Sequence, residues 1–135
     1  MKELIVKATD EELNNVLTFV TGELENADCP MKTQMQIEVA VEELFVNIAH
    51  YAYAPAIGSA TIQVTISDDR EAAITFIDSG KPYDPLAKPD PDVTLSAEER
   101  QIGGLGIYMV KKSMDDVRYE YRDEQNVLTI VKKLG

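Results

Sequence analysis

Ala60-Thr-Ile-Gln-Val-Thr-Ile66, then Asp68-Asp69, then Ala72-Ala-Ile-Thr-Phe-Ile-Asp78 is the stretch that decides how this chain folds. In its first half Ala60, Ile62, Val64 and Ile66 alternate with Thr61, Gln63 and Thr65, the period of two of a strand with one covered face. The run 72–77 reads as the returning strand, with Asp78 at its end. Two such runs across a short acidic turn predict an antiparallel pair. A doubly wound nucleotide fold separates its strands by helices, so this pairing argues against one.

Upstream of the hairpin the periodicity changes. Leu4-Ile5-Val6 reads as a short strand, and Thr9-Asp10-Glu11-Glu12 opens a helix with Thr9 as its cap and acids at its positive end. Leu13, Val16, Leu17, Val20 and Leu24 follow at helical spacing, and residues 25–30 break the pattern. A second amphipathic helix is predicted from about Met31 to Tyr53, ended by Pro55 and Gly58. Downstream, residues 79–101 hold Gly80, Pro82, Pro85, Pro89 and Pro91 and read as a loop, and loops of that length inside a domain are usually functional. Ile102-Gly-Gly-Leu-Gly-Ile107 leads into a third helix ending near Met114. Val117, Tyr119 and Tyr121 alternate with polar residues, Asp123-Glu-Gln-Asn126 reads as a turn, and residues 127–131 pair back. The order β-α-α-β-β-loop-α-β-β predicts one domain over residues 1–135, an α/β (α+β) two-layer sandwich. Its sheet is expected to be mixed, mostly antiparallel, with the helices on one face.

Composition narrows the function classes. A chain of 135 residues with 44% apolar and 27% charged residues can build one ordinary core. A net charge of −11, with scattered Lys and Arg, argues against direct nucleic-acid binding, which needs clustered cations. It does not argue against a nucleotide, because helix N-termini and a divalent cation hold phosphate without net positive charge. No apolar run is long enough for a membrane span, and the N-terminus lacks an export signal. Cys29 is the single cysteine, which together with these features suggests a reducing cytoplasm.

Three polar constellations sit on apolar elements. On the second helix Ile37, Val41, Leu44 and Ile48 form the buried stripe, and Glu43 and Asn47, four residues apart, lie at its rim. Such a pair suits metal coordination and proton acceptance, or is simply a hydrogen-bonded rim. Asp78-Ser79-Gly80 continues the Ile74-Phe76 face, so its carboxylate needs a donor such as the exocyclic amine of adenine; Asp-Ser-Gly is also common turn chemistry. Gly103-Gly104-Leu105-Gly106 stands before a helix, where exposed amides can cradle phosphates or where glycines provide a hinge. Neither the GxxxxGK[ST] phosphate loop nor a GxGxxG motif is present.

In this order the three constellations resemble the GHKL ATPase superfamily, and within it the anti-sigma-factor serine/threonine kinases of bacterial partner-switching systems. The likeness runs from about Met1 to Lys133. Glu43-Leu-Phe-Val-Asn47-Ile-Ala-His50 is similar to the family's N box, Asp78-Ser-Gly80-Lys-Pro-Tyr-Asp84-Pro to its first glycine box, and Gln101-Ile-Gly103-Gly104-Leu105-Gly106-Ile107 to the second. The resemblance implies ATP with Mg²⁺ as ligands. It implies Asn47 as the metal ligand, Glu43 as the catalytic carboxylate, Asp78 on adenine and Gly80 beneath the ring. Gly103, Gly104, Leu105 and Gly106 would line the phosphates, and residues of about 84–103 would form an ATP lid. Arg100 would reach the terminal phosphate or be an ordinary surface arginine, Thr129 matches a threonine the family keeps near the end of its sheet and would join the nucleotide-binding residues, and His50 would serve packing. The implied partners are a sigma factor and an anti-sigma-factor antagonist protein, a homodimer being left open. Lys81-Pro82-Tyr83 departs from the family by lacking the second glycine of the first box. The expected activity is phosphoryl transfer to a serine or threonine of the antagonist, the alternative a non-catalytic ATP-binding regulator. Retention of both Glu43 and Asn47 favours the enzyme.

Overall fold

A computed structural model describes residues 1–53, 55–87 and 104–135. The chain runs β1 (Lys2–Lys7), a 3-10 turn (Asp10–Glu12), α1 (Leu13–Asn26) and α2 (Met31–Asn47), the last prolonged by a π turn (Ile48–Ala52). There follow β2 (Ser59–Ile66), β3 (Glu71–Asp78), a 3-10 turn (Pro85–Ala87), α3 (Gly104–Ser113), β4 (Asp116–Arg122) and β5 (Gln125–Lys133). Thr9 precedes the first turn, but its side chain makes no capping bond, and the α-helix itself starts only at Leu13. The acids of that turn still stand at the helix's positive end.

The sheet order is β1-β2-β3-β5-β4, and every neighbouring pair is antiparallel, which corrects the expected mixed sheet. The crossover through α3 leaves β3 and β4 running the same way, as a βαβ unit would, yet they never touch. β5 folds back from β4 into the gap between them and opposes both.

Directly opposed residues of an antiparallel sheet share a face. One row therefore crosses all five strands as Leu4, Ile62, Phe76, Leu128 and Tyr119. Its central members join Val64, Ile74 and Ile130 in a core closed from above by Val16, Val20 and Leu24 of α1, Ile37, Val41, Leu44 and Phe45 of α2, and Ile107 and Val110 of α3. Two residues further along the sheet the equivalent row reads Val6, Ala60, Asp78, Asn126 and Tyr121. Here the covered face turns polar.

The β4–β5 connection is shorter than the sequence suggests. Only Asp123 and Glu124 form the turn, with φ of 52° and 60°, so the strand already begins at Gln125. Two consecutive positive-φ residues mark the mirror-image turn whose twist suits a hairpin, and Asp-Glu is a weak signal for it beside Asn-Gly or Asp-Gly. Asn126 is thereby a strand residue and not a turn residue.

Candidate functional site

The end of α2 is drawn onto the sheet by Tyr53. Its hydroxyl donates to the Ser59 carbonyl at 2.6 Å and accepts the Ser79 N–H at 2.7 Å, joining the helix end, the start of β2 and the residue after β3. Lys81 N–H donates to the Ala52 carbonyl at 2.9 Å in the same corner. A side chain on Gly80 would run into the backbone of Ala52, 2.6 Å from its carbonyl carbon. The glycine thus lets the loop press against the helix end.

Between that corner and the sheet lies a cavity of about 50 Å³. Leu44, Ile48, Ala52, Phe76 and Leu128 give it an apolar floor, Tyr51, Tyr83 and Pro85 stand around it, and Asn47, Asp78, Lys81, Tyr119 and Asn126 supply the polar groups. Apolar walls with a few convergent polar groups are the usual make-up of a small-molecule site.

Asp78 is 6% exposed. Its Oδ1 accepts the Gly80 N–H and the Asn126 Nδ2–H, each at 2.9 Å. Among the described residues its Oδ2 has no partner. A buried carboxylate oxygen without a donor is costly, and the cost is relieved by a ligand that brings an N–H.

Asn47 lines the same cavity half-buried, its side-chain amide without a protein partner among the described residues. Its carbonyl oxygen is a hard donor of the kind Mg²⁺ takes one or two of from a protein, and the residue therefore fits the implied ion. Among the described residues no three His, Cys, Asp or Glu side chains converge on a point.

Glu43 lies one turn earlier on α2 and meets α3, where a side chain on Gly106 would collide with the Glu43 carboxylate. Burial pushes the Glu43 carboxyl above its ordinary value, and the neighbouring Glu42 carboxylate pushes it further. A carboxylate with a raised pKa is the stronger proton acceptor. The packing thus brings Glu43 against Gly106, and it brings Asn47 and Asp78 into one cavity.

Gly104 is the first residue of α3 and Leu105 the second. Gly103, Arg100 and the greater part of the expected lid, residues 88–103, lie outside the described residues. At the lid's start, Leu86 N–H donates to Asp84 Oδ1 at 2.8 Å within the turn Pro85–Ala87.

Thr129 is not part of this cluster. It belongs to the row Glu3, Gln63, Thr75, Thr129 and Arg118 on the sheet face away from the helices, and its hydroxyl pairs with that of Thr75 at 3.0 Å. Strand alternation rules it out as a ligand of the cavity, because its neighbours Leu128 and Ile130 face the core. His50 points elsewhere too: its Nε2 lies 2.9 Å from the Asp10 carboxylate and ties the π turn to the first 3-10 turn.

Sequence reasoning missed Asn126 and Tyr119. Asn126, 7% exposed, uses both its donors and both its acceptor positions. Nδ2 donates to Asp78 Oδ1 and to the Lys81 carbonyl at 2.8 Å, and Oδ1 accepts the Tyr83 N–H at 3.1 Å and the Tyr119 hydroxyl. Burial, the largest cause, holds the Tyr119 phenol above its ordinary pKa, so it stays a donor. The available signal was the alternation Asn126, Leu128, Ile130, hidden by reading Asn126 as part of a turn.

Comparison with known proteins adds the family. The pattern of the family described as histidine kinase-like ATPase domain matches residues 6–132. A serine/threonine-protein kinase, BtrW of Bordetella bronchiseptica, is 28% identical over 100 residues, 73% of this chain and 70% of that protein. The serine-protein kinase RsbW of Bacillus cereus is 26% identical over 128 residues, 92% of this chain and 73% of its own. Among solved structures, one containing the RsbU and RsbW domains of a Mycobacterium tuberculosis protein superimposes with a TM-score of 0.67 over 99% of this chain and 33% of that one, at 14% identity. The histidine kinase domain of a blue-light activated kinase from Erythrobacter litoralis gives 0.54 over 90% of this chain and 65% of its own, also at 14% identity.

Proposed function

The chain belongs to the histidine kinase-like ATPase domain family, and from that premise we propose that it is an ATP-dependent serine/threonine protein kinase. In this reading it acts as an anti-sigma factor in a partner-switching system, and its substrate is an anti-sigma-factor antagonist protein. The observation that carries the reading is the cavity that holds Asn47 beside Asp78, with Asp78 Oδ2 buried and lacking a donor. The exocyclic amine of adenine meets that need. Relatives named serine kinases at 26% and 28% identity support the choice of a hydroxyl acceptor.

The chain's own residues divide the work as follows. Asp78 holds the base, and Phe76, Leu128 and Leu44 keep water from it. Asn47 would hold Mg²⁺, which when bound would neutralise phosphate charge. Gly104 and Gly106 at the start of α3 offer backbone amides for the phosphates, and Gly106 leaves room for the Glu43 carboxylate. Glu43 accepts the proton of the incoming serine hydroxyl as its oxygen bonds to the γ-phosphorus and the bond from that phosphorus to the bridging oxygen breaks, ADP leaving. In such reactions positioning and charge neutralisation supply most of the acceleration.

The test is transfer of labelled phosphate from ATP to antagonist proteins encoded near this one, by wild type and by Glu43→Gln. The variant is expected to bind Mg-ATP normally and to lose about 10²–10⁴-fold in transfer, the usual range of a general base. Wild-type rates in the variant would remove Glu43 from the mechanism. ATP binding with no transfer by the wild-type protein to any candidate would leave a nucleotide-binding regulator that sequesters its partner.

A further inference from the structure

We propose that Asn126 is the positioning residue that makes the cavity selective for a base carrying an amine. It does so by holding Asp78 in the one orientation that leaves Oδ2 as a bare acceptor and by fastening the first residues after β3 across the cavity's edge. The proposal rests on the nucleotide-binding reading above and names what enforces its choice of base.

The hydrogen-bond count leads there. An asparagine amide offers two N–H groups and two lone pairs, and here all four are engaged within the protein. The orientation of the amide is set by chemistry: reversed, it would aim its oxygen at the Asp78 carboxylate and the Lys81 carbonyl, and its N–H groups at the N–H of Tyr83. Asp78 Oδ1, with donors from Gly80 and Asn126, is fully occupied. Only Oδ2 remains for a ligand, and it can only accept. A base with an exocyclic amine at that point gains a charge-assisted bond, and one with a carbonyl or a hydrogen there leaves the carboxylate unpaired, the kind of mismatch that discriminates most strongly. Without Asn126 the carboxylate keeps one donor, the Gly80 N–H, and can turn so that its acceptor no longer lies in line with the ligand's amine.

The same amide takes over a structural task. The stretch Lys81-Pro82-Tyr83 follows directly on the Asp78-Ser79-Gly80 turn, and Asn126 grips it on both sides, through the Lys81 carbonyl and the Tyr83 N–H. Register explains why this residue can reach: Asn126 sits directly opposite Asp78 on the neighbouring strand, so one side chain spans the base-reading carboxylate and the chain that follows it.

The experiment measures dissociation constants of the full-length chain for ATP, GTP and the ATP analogue whose purine carries hydrogen in place of the 6-amine. Wild type is compared with Asn126→Ser and with Tyr119→Phe, which removes a single bond to Asn126, and thermal melts are run on each. Wild type is expected to prefer ATP to both others by about tenfold or more, the worth of one hydrogen bond to a charged group. In Asn126→Ser that preference should fall to within about threefold of unity while affinity for the amine-free analogue changes little, with a smaller loss of preference in Tyr119→Phe. A purely structural role would lower the melting temperature and all three affinities together with the preference intact, and that result in both variants overturns the proposal. Wild-type protein that binds ATP and GTP equally overturns it as well, leaving nucleotide binding standing. Wild-type protein that binds none of the three overturns the proposed function itself.

Discussion

Glu43 and Gly106 are fitted to one another, and each can be altered singly. The Glu43 carboxyl is raised first by burial and second by Glu42, so it takes up its proton at a higher pH than a free glutamate. In the proposed mechanism the base form is needed for transfer, and the acidic limb of kcat/KM should then be shifted upward from that of an ordinary glutamate. Glu42→Gln should move it down by removing the lesser cause, and a limb unmoved by that change would exclude Glu42 from the site's electrostatics. For stability the sign is opposite. A folded-state carboxyl pKa above the unfolded value means that the native state binds more protons across that window, so ionised Glu43 weakens the fold at neutral pH. Glu43→Gln should accordingly be no less stable than wild type near neutral pH in a thermal melt. Gly106→Ala tests the contact from the other side. The obstructing group is the far end of a flexible side chain, so α3 should survive and gain about 0.5–1 kcal/mol from the better helix former. The displaced Glu43 should cost transfer about 10²-fold, as misplacement by about 1 Å does. Parallel loss of stability and transfer in urea titration and phosphate assay would contradict this division.

At the scale of elements, the β4–β5 hairpin decides whether Asn126 reaches Asp78, and its turn is not optimal. Glu124 sits at φ 60° in a turn that prefers glycine there. A left-handed conformation costs an L-residue about 1–2 kcal/mol, partly offset in a Gly variant by the entropy glycine loses on folding. Glu124→Gly should thus stabilise the protein by about 0.5–1 kcal/mol and raise the midpoint of urea unfolding, whereas Glu124→Val should lower it. If valine were tolerated as well as glycine, this turn would not set the register of Asn126. The π turn Ile48–Ala52 makes the matching adjustment on the helix side. It carries α2 past Asn47 so that Ala52 receives Lys81 and Tyr53 reaches Ser59 and Ser79, as such local widening of helices does at many functional sites.

For the molecule as a whole, one sheet face carries the helices and the site, and the other carries the row from Glu3 to Arg118. The two faces should respond differently to truncation. Phe76 is 1% exposed at the centre of the core and at the cavity floor, and Phe76→Ala should cost about 3–5 kcal/mol, a large part of the roughly 5–15 kcal/mol a domain of this size possesses. Ile5 on the outer face is 64% exposed, and Ile5→Ala should change stability by less than about 0.5 kcal/mol. Equal losses in urea titrations of the two variants would mean that the outer face is covered. No helix among the described residues is long and apolar enough to cross a membrane.

Periodicity and punctuation made most of the fold legible. The alternation over 60–78, the helical spacing from Leu13 to Leu24 and from Ile37 to Ile48, and the glycines and prolines between them prescribe each element, because each has to bury one face. The i, i+4 spacing likewise placed Glu43 and Asn47 together on one helix, and the period of two placed Asp78 on the covered face of β3. Strand neighbours were not legible, since the alternation of a strand says which face is covered and not which strand lies beside it. The insertion of β5 between β3 and β4, and with it the wholly antiparallel sheet, comes from long-range pairing. Thr129 looked like a site residue by motif, and pairing through Thr75 puts it on the far face. Asn126 looked like a turn residue, and a two-residue turn makes it the partner of Asp78, 48 positions away. A side chain's type and local phase are properties of its neighbours along the chain; whether its hydrogen bonds are met, and by what, depends on residues that come near it once the chain has folded.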